Sequence, residues 1–146
     1  SFRTPHDTPE SVGYRLTAAG KTLAFATDCG CLTRELVEGT AGADIAVIEA
    51  NHDVEMLING SYPEYLKRRI LSQRGHLSND DCGRLAVILG QGGTRRLVLA
   101  HLSRENNTPQ AALRTVSDAL RRAGAQPGDV EVGLAPPDGP GALYIL

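Results

Sequence analysis

Short aliphatic runs that each close on a polar residue constrain this chain more than any other feature. TLAFAT runs into Asp28, DIAVIEA carries Glu49 at its end, and RRLVLA runs into His101. Such blocks of β-branched and aliphatic residues, bounded by Gly, Pro, Asp and Asn, suit buried strands. Helical segments separate them, so the pattern predicts an α/β fold: a mixed sheet with covering helices. In open α/β sheets, functional groups gather outside the carboxyl ends of the strands, which places Asp28 and His101 on one rim. His6 lies just before the turn-rich TPES and joins that rim if its loop folds onto it.

Local signals fill in the order of elements. VGYRLT and TLAFAT, linked by AAGK, predict an antiparallel hairpin. LTRELVEGT reads as a short helix, followed by helices from Val54 to about Asn59 and from near Pro63 through YLKRRIL. Ser78 predicts an N-cap for DDCGRLAVIL, with Asp80 and Asp81 suited to the positive end of the dipole. Thr108 and Pro109 start another helix, in which Ala112, Val116, Ala119 and Leu120 recur at helical spacing up to Gly124. VEVGLA and ALYIL predict two short terminal strands around the PPDGPG loop.

A hydrophobic content of 41% suits one globular unit. The longest apolar stretches, such as LAVIL from Leu85, fall far short of the roughly 20 residues a membrane-spanning helix needs. No secretory signal is recognisable. The only methionine is Met56, so Ser1 is not a translation start and the chain is expected to be a piece of a longer protein. The net charge of −2 excludes a uniformly basic coat but permits basic patches. Arginine supplies most of the cations, clustered with Lys67 at Arg68 and Arg69, at Arg95 and Arg96, and at Arg121 and Arg122. Its planar fork matches phosphate oxygens, although Arg121 and Arg122 also suit a helix C-terminus. Three cysteines, Cys29, Cys31 and Cys82, lack zinc-ribbon spacing and point to a reducing, cytoplasmic setting, with Cys29 and Cys31 read as small thiols rather than ligands.

The order HDTPESVGY from His6, TDCG at Asp28 and AHLS at His101 resembles the later metal motifs of metallo-β-lactamase-fold hydrolases. EANHDVEML, YPEYLKRRILS, GHLSNDD and AHLSRENN resemble the YycJ/WalJ subgroup of that family, cytoplasmic metal-dependent DNA exonucleases. The resemblance runs from about Arg3 to Arg122. The family's His-x-His-x-Asp-His motif is absent, so the chain resembles the C-terminal half of a single αββα sandwich domain, with residues 1–146 lacking the N-terminal part that holds the first metal motif.

The resemblance implies metal ligation by His6, Asp28 and His101, with Asp28 bridging two divalent ions, zinc or manganese, in the complete protein. Two such ions supply hydroxide and clamp the oxygens of a phosphodiester. His76, in GHLSN, resembles a histidine loop placed over the scissile phosphate, where it acts as a general acid or stabilises charge. Glu49, Asn51, His52 and Asp53 are expected to orient ligands by hydrogen bonding. Ser103, Arg104 and Asn106 follow His101 and can bind phosphate, as can Lys67, Arg68 and Arg69; Asn106 and Asn107 also read as turn residues before Thr108. The implied activity is 5′ to 3′ DNA exonuclease action, engaging the phosphate backbone, in a protein that needs its N-terminal half and has no membrane partner. Other phosphodiesterases, acting on RNA or small nucleotides, stay open, as does a non-catalytic half that only assembles. On either view the chain alone is expected to be inactive.

Overall fold

A computed structural model describes residues 1–144. Six strands form one sheet in chain order: β1 (Phe2–Arg3), β2 (Val12–Ala18), β3 (Lys21–Ala26), β4 (Ile45–Glu49), β5 (Arg96–Ala100) and β6 (Glu131–Leu134). β1, β2 and β3 pair antiparallel, and β3 through β6 run parallel. The sheet is therefore mixed, with β2 and β3 forming the predicted hairpin. Helices α1 (Arg34–Thr40), α2 (Val54–Asn59), α3 (Glu64–Ile70), α4 (Asn79–Gln91) and α5 (Pro109–Arg122) make the crossovers.

The helix starts follow the capping residues. Ser78 Oγ accepts from the Asp81 N–H and Thr108 Oγ1 from the Ala111 N–H, each satisfying a donor the first turn leaves free. Pro63 is the N-cap residue of α3 rather than its first helical residue, so that helix begins one position later, at Glu64. The second terminal strand does not form over Ala142–Tyr144, and the remainder of ALYIL lies outside the described residues. Tyr144 instead lies against the sheet, with the Arg96 guanidinium 5.2 Å from its ring centroid.

Side chains alternate across the sheet, and the two faces have different surroundings. Ala24, Ala26, Ala46, Ile48, Leu97 and Leu99 point into a core closed by Leu36 of α1, Leu85 and Leu89 of α4, and Val116 and Leu120 of α5. Helices α4 and α5 approach closely because Gly83 presents no side chain; a Cβ there would sit 3.0 Å from the Ala119 Cβ. On the opposite face the register aligns Tyr14 with Phe25 and Leu16 with Leu23. Tyr14, Leu16 and Phe25 are 51%, 60% and 40% exposed, an apolar row left in water.

Candidate metal centre

Three neighbouring parallel strands deliver acidic and imidazole groups to one rim. Asp28 lies just beyond β3, Glu49 is the last residue of β4, and His101 directly follows β5. Both Asp28 and His101 adopt left-handed backbone conformations, with φ of 56° and 59°. That region is disfavoured for any residue carrying a Cβ, and such conformations concentrate at functional sites. Each one turns the chain sharply at the strand end.

Two loops complete the cluster, and Gly30 lets them meet. A Cβ on Gly30 would run into the Gln73 main chain, so its absence admits the loop that carries His76. The Gly30 N–H donates to the Pro5 carbonyl at 2.7 Å, which anchors the loop bearing His6. His6 Nδ1 in turn lies 2.9 Å from the Gly75 carbonyl oxygen, tying the two histidine loops together. The ring centroids of His6 and His76 are 5.0 Å apart, and those of His76 and His101 are 5.2 Å apart.

Glu49 organises the interior of the site. Its side chain is fully buried, and Oε1 accepts from His76 Nδ1 at 2.8 Å and from His101 Nδ1 at 2.7 Å. Oε2 accepts from the main-chain N–H groups of Cys29 at 2.7 Å and Leu77 at 3.3 Å. Burial acts to raise the carboxyl pKa, but the hydrogen bonds from His101, His76 and Cys29 outweigh it and hold the group below the usual glutamate range. The same hydrogen bond to Glu49 raises the His101 pKa against the opposing effect of burial.

Acceptor partners at Nδ1 decide the tautomers. The Gly75 carbonyl accepts only, and an ionised Glu49 accepts only, so in neutral rings the proton sits on Nδ1 of His6, His76 and His101. Each Nε2 then keeps its lone pair, the arrangement that carboxylate and carbonyl partners impose on metal-binding histidines. Asp28 Oδ1 lies 3.7 Å from His6 Nε2 and 3.8 Å from Nδ1 of both His76 and His101. Ligand atoms of Asp28, Glu49, His76 and His101 all fall within 4.8 Å of one another. Two carboxylates and two imidazoles in so small a volume suit a divalent cation with nitrogen and oxygen preferences. His6 stands one step outside that tight group, beside Asp28.

The centre opens into a cavity of about 440 Å³, whose walls include Tyr62, Leu66, Arg69, Ser103 and Arg104. A larger groove of about 790 Å³ lies between α4 and α5, among Val87, Ile88 and Ala119, and holds none of the clustered histidines. Arg69 and Arg104 therefore face the site, although Arg69 bonds Asp7 and Arg104 bonds Asp138 at 3.1 Å. Lys67 and Arg68 do not line the cavity; Lys67 Nζ donates to the Ile58 carbonyl at 2.7 Å. Tyr62 and Leu66 are not recognisable as cavity residues from sequence, because a lone aromatic and a leucine carry no chemical motif.

The remaining candidates separate by contact. Asn51 borders the cavity and Nδ2 donates to the His101 carbonyl at 2.9 Å. Asp53 caps α2, accepting from the Met56 N–H at 2.9 Å. His52 is buried, its ring nitrogens have no partner among the described residues, and burial holds its pKa below the usual histidine range. Asn106 is likewise buried; its N–H donates to Ser103 Oγ at 3.1 Å, which shapes the turn after His101. Cys29 and Cys82 are buried free thiols whose pKa values burial pushes up, and Cys31 is half-buried.

The beta-lactamase superfamily domain model matches residues 1–102, a span that includes every residue of this cluster. The chain belongs to that superfamily. It is 38% identical over 129 residues to exodeoxyribonuclease YycJ of Bacillus anthracis, across 88% of this chain and 49% of that protein. It is 41% identical over 135 residues to exodeoxyribonuclease WalJ of Streptococcus pneumoniae, across 92% of this chain and 48% of that protein. Coenzyme PQQ synthesis protein B of Gluconobacter oxydans is 30% identical over 99 residues, across 66% of this chain and 31% of its own length. The chain spans about half the length of the exodeoxyribonucleases it matches. No helix among the described residues is long and apolar enough to cross a membrane.

Proposed function

We propose that this chain forms one half of the active centre of a metal-dependent phosphodiester hydrolase that degrades DNA from an end. The convergence of His6, His76 and His101 on Asp28, with Glu49 bonded to two of the three rings, carries this reading. Asp28, His101 and His6 would hold divalent ions, zinc or manganese, with Glu49 fixing the imidazoles from behind. When bound, such ions supply hydroxide and stabilise the charge on the phosphodiester oxygens. His76 stands beside Asp28 at the cavity wall, placed to act on the leaving oxygen either as a general acid, once a second proton is carried on Nε2, or by stabilising charge. The superfamily membership and the exodeoxyribonuclease relatives support DNA as the substrate, and three free thiols support a reducing, cytoplasmic setting.

The open sheet face supports a second element of the reading. Tyr14, Leu16 and Phe25 offer an apolar surface on the side away from the helices. A second sheet seated there would complete an αββα sandwich and bring further ligands to the rim. The nitrogen and oxygen donors of this chain suffice for one cation but leave a second short. Calorimetry with zinc should therefore show at most one equivalent bound, with Kd weaker than about 1 μM, near −8 kcal/mol. Two equivalents bound more tightly than that would defeat the half-centre reading.

Phosphate recognition falls to Arg69 and Arg104 on the cavity wall. In the active assembly, replacing both with glutamine should weaken binding of unrelated DNA sequences alike. It should also reduce the salt slope by about one unit for each phosphate no longer neutralised. Replacing Lys67 and Arg68 should leave the slope unchanged. The reverse pattern in a salt titration would move the DNA path to the outer face of α3.

A further inference from the structure

His101 needs a restraint that strand β5 does not supply, because its left-handed backbone, φ 59°, is disfavoured for a residue with a Cβ. Asn51 provides two ties across the gap. Its Nδ2 donates to the His101 carbonyl at 2.9 Å, and its own carbonyl accepts from the Ser103 N–H at 2.8 Å. The turns after β4 and β5 are thereby laced together at the base of the cavity. Asn51 is itself held from beneath. Asn107 Nδ2 donates to the carbonyls of Ala50 and Asn51, at 2.9 and 3.0 Å.

Asn107 is fixed in turn by Asn79, the first residue of α4. The two carboxamides pair reciprocally, Nδ2 to Oδ1 in each direction, with both distances 2.9 Å. Asn107 Oδ1 also accepts from the Thr108 N–H at 2.9 Å, at the start of α5. Asn51, Asn79 and Asn107 are all buried. Satisfied polar networks in a low-dielectric interior specify one local geometry, and this one joins the starts of two helices to the rim of the sheet.

We propose that Asn51, braced by the Asn79–Asn107 amide pair, is a positioning residue that holds His101 in its left-handed turn, with Nδ1 on Glu49 and Nε2 open for ligation; this role rests on the metal-centre reading for what that nitrogen would hold. Without the brace, the His101 backbone relaxes and the imidazole loses its fixed direction, while His6 keeps its separate anchor on Gly75. The effect is local because none of these amides bonds the His6 or His76 side chain.

Imidazole proton–nitrogen NMR of the metal-free chain tests this directly. Asn51→Asp preserves size but replaces the donor with a carboxylate that repels the His101 carbonyl. The Nδ1-protonated signature of His101 should disappear into an averaged signal, while that of His6 persists and the backbone amide spectrum stays dispersed. Asn107→Asp should act in the same direction with a smaller change. An unchanged His101 signature in Asn51→Asp overturns the proposal. Equal loss at His6, His76 and His101 also overturns it, since that pattern means general loosening. Should Asn51→Asp fail to fold, Asn51→Ser, whose hydroxyl is too short to bridge to the carbonyl, is judged by the same signals. Zinc added to the wild-type chain separates the two ideas: histidine signals that do not respond would sink the metal reading and leave the metal-free comparison intact.

Discussion

Glu49→Ala is expected to lower the unfolding free energy by about 2–5 kcal/mol, because buried donors lose their acceptor at about 1–3 kcal/mol each. The missing carboxylate leaves four donors behind: Nδ1 of His76 and of His101, and the N–H groups of Cys29 and Leu77. Water does not readily reach the Cys29 and Leu77 N–H groups, because both residues are fully buried. Glu49→Gln keeps the volume but turns an amide N–H toward groups that are themselves donors, so it should fall between wild type and alanine. Urea denaturation checks the series. A fall in midpoint without a change in slope is the expected form, since the alteration is local and the surface exposed on unfolding stays the same. A loss below about 1 kcal/mol would mean that the two histidines do not depend on Glu49 and that its network is marginal to stability.

The sequence made the elements legible where a single residue type carries the signal. Ser78 and Thr108 mark helix starts because a side-chain oxygen must meet a free N–H, and both caps form. AAGK marks the hairpin because a short link forces β2 and β3 antiparallel. β1 was not legible, since two residues paired with β2 leave no periodicity to read. ALYIL shows the converse, a strand-like composition over which Ala142–Tyr144 form no strand. β propensity reports fitness for a pleated half-buried surface, and only available sheet partners turn it into a strand.

The site divides in the same way. Asp28 and His101 are readable as rim residues because each follows an aliphatic run, and position at a strand end follows from chain order. That one Glu49 oxygen joins His76 to His101 was not readable, because it depends on the meeting of β4, the loop after β5 and the loop before α4. The same holds for Arg69 and Lys67, neighbours by sequence but pointed to different surroundings by helix geometry. Gly30 gave no chemical signal at all. Its part is steric, and only the close approach of the Gln73 main chain reveals it.

Removing the Asp28 carboxylate should cost the active assembly more than removing the His76 ring. Asp28 lies within 3.7 to 3.8 Å of nitrogens on His6, His76 and His101, so one carboxylate serves the whole cluster. His76, by contrast, is one of several imidazoles, and loss of a general acid typically costs about 10²–10⁴-fold in rate. The choice of substitution matters because Asp28 has φ 56°. Alanine tolerates that conformation poorly, whereas asparagine adopts it readily and keeps the side-chain volume. Asp28→Asn therefore isolates the charge from the backbone. Its turnover on end-labelled duplex DNA should fall below that of His76→Ala by at least about tenfold, with thermal stability near wild type, since each tenfold requires only about 1.4 kcal/mol of lost transition-state stabilisation. Asp28→Ala should lose the same activity and also unfold at a lower temperature. If Asp28→Asn turns over as fast as wild type, the carboxylate charge has no part in the reaction and the ligand assignment must pass to the histidines and Glu49 alone.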